Sequence, residues 1–212
     1  PNIDLLARRG TDFHEFTVAN PVCSPSRTAV LTGHYPARHS VHAHFASLER
    51  NARRNMPDWL DPTVVLLPRL LQEAGYATAT FGKWHLTNTE AEDAPLPAAY
   101  GFDESAVFNG PGPQANPATS DVDDMAVDFI HRTAGEPFFL NVWLHEPHTV
   151  HFPKEQYLRQ YEHLIEPHQV YAAVIAEADH RVGRIMAALD QNGLTENTLV
   201  IFSSDNGPEK QK

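Results

Sequence analysis

The single cysteine, in the run Asn20-Pro21-Val22-Cys23-Ser24-Pro25-Ser26-Arg27, is the first candidate for a reactive group. Asn20 and Pro21 interrupt the chain before it. Pro25 has a fixed φ and no N–H, which suits a first helical turn. A short helix is expected over Ser26 to Thr32, closed by Gly33 as a C′ glycine. Cys23 then sits where unpaired N–H groups and the positive end of the helix dipole favour an anion. Arg27 adds a permanent charge with a planar fork of donors. The plainer alternative is a buried cysteine in a turn, since free cysteine is among the most buried residue types.

Three further polar clusters each follow an apolar run. Lys83-Trp84-His85 places a cation and an imidazole on the same side of an extended chain, because side chains alternate with period two. Both can reach one anion, or they can be a solvated lysine and a hydrogen-bonded histidine at a strand end. His145-Glu146-Pro147-His148 has a metal-ligand spacing, but no third nitrogen or sulfur ligand has clear spacing to it, so zinc is weakly supported. Asp205-Asn206-Gly207 offers two adjacent oxygen donors of the kind hard divalent cations take. The same residues are also common turn formers.

The elements that must position these clusters alternate. A short amphipathic helix is expected over Asn2 to Arg9, with Ile3, Leu6 and Ala7 on one face and Gly10 ending it. Thr11 to Ala19 fits a strand or extended segment. His34 to Asp61 has no clean period and reads as a long loop carrying His34, His39, His42, His44 and four arginines, a usual place for substrate contacts. A helix over Pro62 to Gly75, with Val65, Leu66, Leu70 and Leu71 as its stripe, precedes a strand over Tyr76 to Phe81. Thr87 to Ala118 is rich in Pro, Gly and acids and reads as a long loop. A helix over Asp121 to Thr133, with Met125, Ala126, Phe129 and Ile130 inward, precedes a buried strand over Pro137 to Leu144. A long helix over His168 to Gln191 precedes an apolar strand over Thr198 to Phe202. Helix, glycine, strand and polar cluster thus recur three times. The pattern implies an α/β domain with a mostly parallel sheet and helices on both faces. Ligands bind beyond the carboxyl ends of such strands, where all three clusters fall.

Composition narrows the function. The net charge is −11 and 42% of residues are hydrophobic. An acidic chain of this kind argues against nucleic acid or an anionic membrane as partner. No apolar run is long enough for a membrane span. One cysteine excludes an intrachain disulfide framework. The chain opens on Pro1 directly into a helix and ends soon after Asp205, so it reads as an internal piece of a longer protein.

Cys23-Ser24-Pro25-Ser26-Arg27 followed by Thr-Ala-Val-Leu-Thr-Gly resembles the first signature of the type I, formylglycine-dependent sulfatases. Gly82-Lys83-Trp84-His85-Leu86 resembles their second. The strand leading to Ser-Asp-Asn-Gly-Pro-Glu resembles their metal segment. The resemblance extends over almost the whole chain, and the nearest members in character are arylsulfatases and N-acetylgalactosamine-6-sulfatases of the alkaline-phosphatase superfamily. It implies an alkaline-phosphatase-like fold, with residues 1–212 as part of the catalytic domain, truncated at both ends. It implies that Cys23 is oxidised to formylglycine by a maturation enzyme, that Arg27 and Lys83 contact sulfate, and that His85 contacts the aldehyde hydrate. His145 is then a donor to the sulfate or its leaving oxygen, and His148 a less certain substrate contact. Cys23 in its modified form, Asp205 and Asn206 become metal ligands to Ca²⁺, with Mg²⁺ as the alternative. Two more metal aspartates are expected ahead of Pro1, so the piece alone is expected to be inactive.

The implied reaction is hydrolysis of a sulfate ester on a sugar or aryl group. One hydroxyl of the hydrated aldehyde attacks sulfur; the other is later deprotonated and expels sulfate, dividing one hard step into two. The cations lower the nucleophile's pKa and balance charge on the sulfuryl oxygens. A periplasmic or secreted setting follows from the family. Phosphonate or phosphodiester hydrolysis by the same superfamily, and an inactive glycan-binding relative, are the alternatives.

Overall fold

A computed structural model of the chain describes residues 1–88, 90–109 and 121–207. These fold into two compact units. Seven α-helices are described: α1 (Asn2–Arg9), α2 (Cys23–Thr32), α3 (Leu48–Arg53), α4 (Leu67–Glu73), α5 (Val122–Arg132), α6 (Glu155–Gln160) and α7 (His168–Gln191). Three strands accompany them: β1 (Ala77–Lys83), β2 (Glu104–Phe108) and β3 (Phe138–Trp143).

The first unit contains the sheet, with residues 17–115, 135–143 and 200–212. Its strand order is β2-β1-β3, and both pairings are parallel. β1 is central, and Thr78 to Lys83 are buried, as a strand flanked on both edges requires. Phe81 faces Ala106 and Val142 across the two ladders, and Lys83 ends level with Phe108. Beneath lies a core of Leu31, Leu60, Leu66, Trp84, Leu86, Tyr100, Phe102 and Val107. Trp84 stands edge-on to Tyr100, with ring centroids 5.1 Å apart, and Tyr100 donates to the Leu60 carbonyl at 2.7 Å. Such aromatic pairs add roughly 0.5–1.5 kcal/mol beyond their buried area.

The second unit, with residues 1–16, 116–134 and 144–199, is helical where described. α7 is its spine, and α1, α5 and α6 pack on it. Asp179 of α7 receives the backbone N–H of Asn2 and of Ile3, each at 2.9 Å. Those are orphan donors at the start of α1, which lacks a side-chain cap of its own. Arg181 is buried among carboxylates, pairing with Asp123 of α5, with Glu177 at 3.2 Å and with Glu146 at 3.4 Å.

Several sequence expectations change. The loop expected over Thr87 to Ala118 contains β2, an edge strand whose five residues the surrounding Pro and Gly conceal; residues 110–120 of that stretch lie outside the described set. Thr198 to Phe202 forms no strand among the described residues: Leu199 and Ile201 are more than 80% exposed and have no ladder partner there. Thr11 to Ala19 is turn and coil, with Phe13 and Phe16 exposed. α4 starts at Leu67, not Pro62, because Pro68 sits in its first turn, and Val65 and Leu70 face solvent. Met125 of α5 is exposed, while Ala126, Phe129 and Ile130 are buried as expected. β3 is mostly half-buried, and Asn141 alone is fully covered, donating to Thr80 Oγ1 at 2.9 Å. The His34–Asp61 loop includes α3 and a 3-10 turn over Pro36–His39. α7 matches its expected bounds.

Candidate active site

Cys23 is the first residue of α2, a helix whose preceding residue, Val22, makes no side-chain cap. The helix therefore begins three residues before the expected start, with the thiol inside its first turn. Gly33 closes it at φ 67°, the left-handed conformation expected of a C′ glycine. Cys23 is buried and free, and Ser24, Ser26 and Arg27 are buried with it.

Arg27 is held on several sides. Its Nε and Nη2 donate to Asp205 Oδ2 at 2.9 and 2.6 Å, and Nη1 donates to the Lys83 carbonyl at 2.8 Å. Its guanidinium lies 4.5 Å from the centroid of the Trp143 ring. Burial pulls its pKa down against the opposing pull of Asp205. Lys83, at the end of β1, is near enough to Cys23 for the two to act on each other electrostatically. Its pKa is also lowered, by burial first and by Arg27, with Cys23 and Asp205 opposing. Two buried cations thus act on the thiol, and one of them is paired with Asp205.

Gly82 explains how Lys83 arrives there. At φ 102° a Cβ on Gly82 would lie 2.1 Å from the Trp143 carbonyl oxygen. Only glycine permits this close passage of β1 against β3.

His85 reaches the same cluster, but not through strand alternation. β1 ends at Lys83, Trp84 is fully buried, and His85 takes a left-handed φ of 52°. The turn is held by Trp84 N–H to Phe108 O and His85 N–H to Asn109 O, both at 2.8 Å. The His85 Nε2 lies 3.0 Å from the Phe45 carbonyl. A carbonyl only accepts, so Nε2 carries the proton and Nδ1 is the bare acceptor. Nδ1 is buried and has no partner among the described residues. Burial, then Lys83, push the His85 pKa down to about 3, so the ring is neutral at ordinary pH.

Phe45, Ser24 and Trp143 escaped the sequence reading. Phe45 donates its N–H to Ser24 Oγ at 3.0 Å, tying the segment that holds His85 to the cysteine helix. A backbone carbonyl leaves no signal in sequence. Ser24, within the cysteine run, was the one available hint.

His145 and His148 belong to the helical unit. They follow β3 with ring centroids 5.3 Å apart, and His148 Nδ1 contacts the Thr149 carbonyl. A cavity of about 20 Å³, room for a single water, adjoins His145, Glu146, His148, Glu177 and Arg181. Burial raises the Glu146 pKa against the pull of Arg181.

The cation expected at Asp205 and Asn206 was tested against the donors present. Among the described residues no three His, Cys, Asp or Glu groups converge to hold a metal. Asp205 is engaged by Arg27, and Asn206 Nδ2 donates to the Gly207 carbonyl at 2.9 Å. Ca²⁺ takes about six to eight oxygens. The described residues by themselves do not make such a site.

A buried cysteine at a helix start, close to two buried cations near the end of a parallel strand, is the arrangement that distinguishes this α/β chain. The chain belongs to the sulfatase family, whose family model matches residues 1–212. It is 32% identical to N-acetylgalactosamine-6-sulfatase of Mus musculus over 246 residues, covering 98% of this chain and 45% of that protein. The chain thus spans a little under half the length of such relatives. In structure it resembles Ps i-CgsB in complex with k-i-k-neocarrahexaose (TM-score 0.74, 26% identity, 93% of this chain and 51% of that one). The phosphonate monoester hydrolase of Agrobacterium radiobacter shares the fold (TM-score 0.68, 19% identity, 97% and 57%). Sulfatases generally use a formylglycine and a divalent metal. Among the described residues no helix is long and apolar enough to cross a membrane.

Proposed function

We propose that the protein containing this chain hydrolyses sulfate esters, with Cys23 as precursor of the nucleophile. The supporting observation is the buried Cys23 at a helix start, with the buried cations Lys83 and Arg27 acting on it and the neutral His85 ring beside the same cations. Formylglycine, when formed, supplies a hydrated aldehyde whose second hydroxyl lets the enzyme release sulfate. The side chains around it then have separable tasks. Lys83 and Arg27 offset charge on the sulfuryl oxygens, in surroundings where burial strengthens each contact. Asp205 holds the Arg27 fork in place, and Trp143 backs it. His85, with its proton fixed on Nε2, offers Nδ1 to accept a proton from a hydroxyl beside residue 23. His145 is the candidate acid for the leaving alcohol, with His148 as a substrate contact.

Asp205 and Asn206 are the oxygens this stretch offers to Ca²⁺ or Mg²⁺, with further ligands from outside the described residues. The substrate class is a sulfated sugar or aryl sulfate. The remaining partner is a maturation enzyme supplying the oxidation at Cys23, in a periplasmic or secreted setting.

The test is Cys23→Ala in the whole protein, expressed with a maturation enzyme. Sulfate release from an aryl sulfate should fall to background, and mass spectrometry of the Cys23 peptide should detect the aldehyde in the wild type. Full activity in the alanine variant would refute the reading. Faster turnover of a phosphodiester than of the sulfate would move the assignment to the phosphonate and phosphodiester hydrolases.

A further inference from the structure

The stretch from His44 to Arg54 carries more positive charge than the reaction centre uses. His44 lies directly against that centre. Its ring centroid is 6.0 Å from that of His85. The next residue, Phe45, is pinned through its N–H to Ser24 and through its carbonyl to His85. The His44 carbonyl in turn accepts from Arg54 Nη1 at 3.1 Å. His44 is therefore fixed on both sides and cannot drift from the pocket.

The charges that act most strongly on His44 are positive. Arg54, Arg50 and Lys83 surround it and, after burial, hold its pKa down. The local carboxylates are committed elsewhere. Glu49 pairs with Arg53 at 3.7 Å, Glu90 accepts the Leu48 N–H at 3.1 Å, and Asp58 holds Asn51 and Asn88 at 2.9 Å each. Among the described residues neither Arg50 nor Arg54 has a carboxylate partner. A concentration of unpaired cations in a chain of net charge −11 implies an anion from outside. Lys83 and Arg27 already act on the thiol, so Arg50 and Arg54 are surplus to it.

We propose that His44, Arg50 and Arg54 form a second anion subsite, which binds a further acidic group, sulfate or carboxylate, on the same sulfated glycan. The inference rests on the sulfatase reading and narrows its substrate to polyanionic sugars. Arg50 is exposed and free to swing onto a ligand; Arg54 and His44 form the fixed floor. A monosulfated, otherwise neutral sugar fills one site, and a disulfated or uronate-bearing one fills both.

Calorimetry on the whole protein tests this with three disaccharides: one monosulfated, one disulfated, and one monosulfated with a uronate neighbour. In the wild type at low salt, at least one dianionic probe should bind about tenfold or more tightly than the monosulfated one. Arg50→Gln and His44→Gln should each reduce that ratio severalfold, and added salt should reduce it too. Whichever dianionic probe loses affinity identifies the acidic group. A ratio near one in the wild type, or a ratio untouched by both variants, would overturn the proposal. Sulfate release from the monosulfated disaccharide is followed separately. Its absence counts against the sulfatase reading, while the affinity ratio still decides the subsite.

Discussion

Arg27 and Arg181 are both about 4% exposed, yet they serve opposite ends. In the helical unit, Arg181 faces Asp123, Glu146 and Glu177, and their pull outweighs burial and raises its pKa. In the sheet unit, Arg27 has Asp205 as its one carboxylate partner among the described residues, shares its surroundings with Lys83, and burial wins for both cations. A buried cation with surplus carboxylates is a structural tie. A pair of buried cations with a single carboxylate among the described residues carries uncompensated positive charge. Net local charge, more than burial, separates the two roles.

Removing Arg181 breaks the comparison most severely. Arg181→Met leaves Asp123, Glu146 and Glu177 buried without their cation, and should cost about 3–5 kcal/mol in urea unfolding. Gly82→Ala comes next. It forces a side chain into the Trp143 backbone at a positive φ, for an expected loss of about 3 kcal/mol or more by the same measurement. Lys83→Met inverts the Arg181 result: turnover of a sulfate ester should fall about 10²–10³-fold. Its stability should be unchanged or slightly higher, because the lost charge had no full complement. A large stability loss in Lys83→Met would erase the distinction between the two regions.

The smallest expected effect is a pH dependence. In the unfolded chain His85 binds a proton below about pH 6.5; in the folded protein it does so only near about 3. Between these values the unfolded state holds more protons, so stability falls as pH falls through that window. The slope is on the order of 1 kcal/mol per pH unit from this residue. His85→Asn should flatten that part of the curve, and an unchanged acid limb would remove His85 as its cause.

The parallel α/β character was legible because α5, α7 and β1 are long or strongly patterned, and because glycines punctuate them. Cys23, Arg27, Lys83 and His85 stood out as a set through the resemblance to the sulfatase signatures, where spacing alone left plainer readings open, and all four lie in one unit with Asp205. β2 was not, since a five-residue edge strand flanked by Pro and Gly has no period to detect. Thr198 to Phe202 misled in the other direction: its apolar run has strand composition, but composition supplies no ladder partner. His85 was placed on the correct side for the wrong reason. Alternation puts it beside Lys83, whereas a left-handed turn after the strand takes it there. The Phe45 carbonyl that fixes its tautomer is main chain, and the same atom exists at every position of the sequence.

The passage of Gly82 beneath Trp143 also links two otherwise separate matters, main-chain clearance and the aromatic seat of Arg27. Trp143 has its peptide pressed against β1 while its indole supports the guanidinium. A bulkier residue 82 would therefore shift the Arg27 guanidinium without touching it. Efforts to retune this pocket are best directed at exposed side chains such as Arg50, because the main chain at Gly82 has no slack to give.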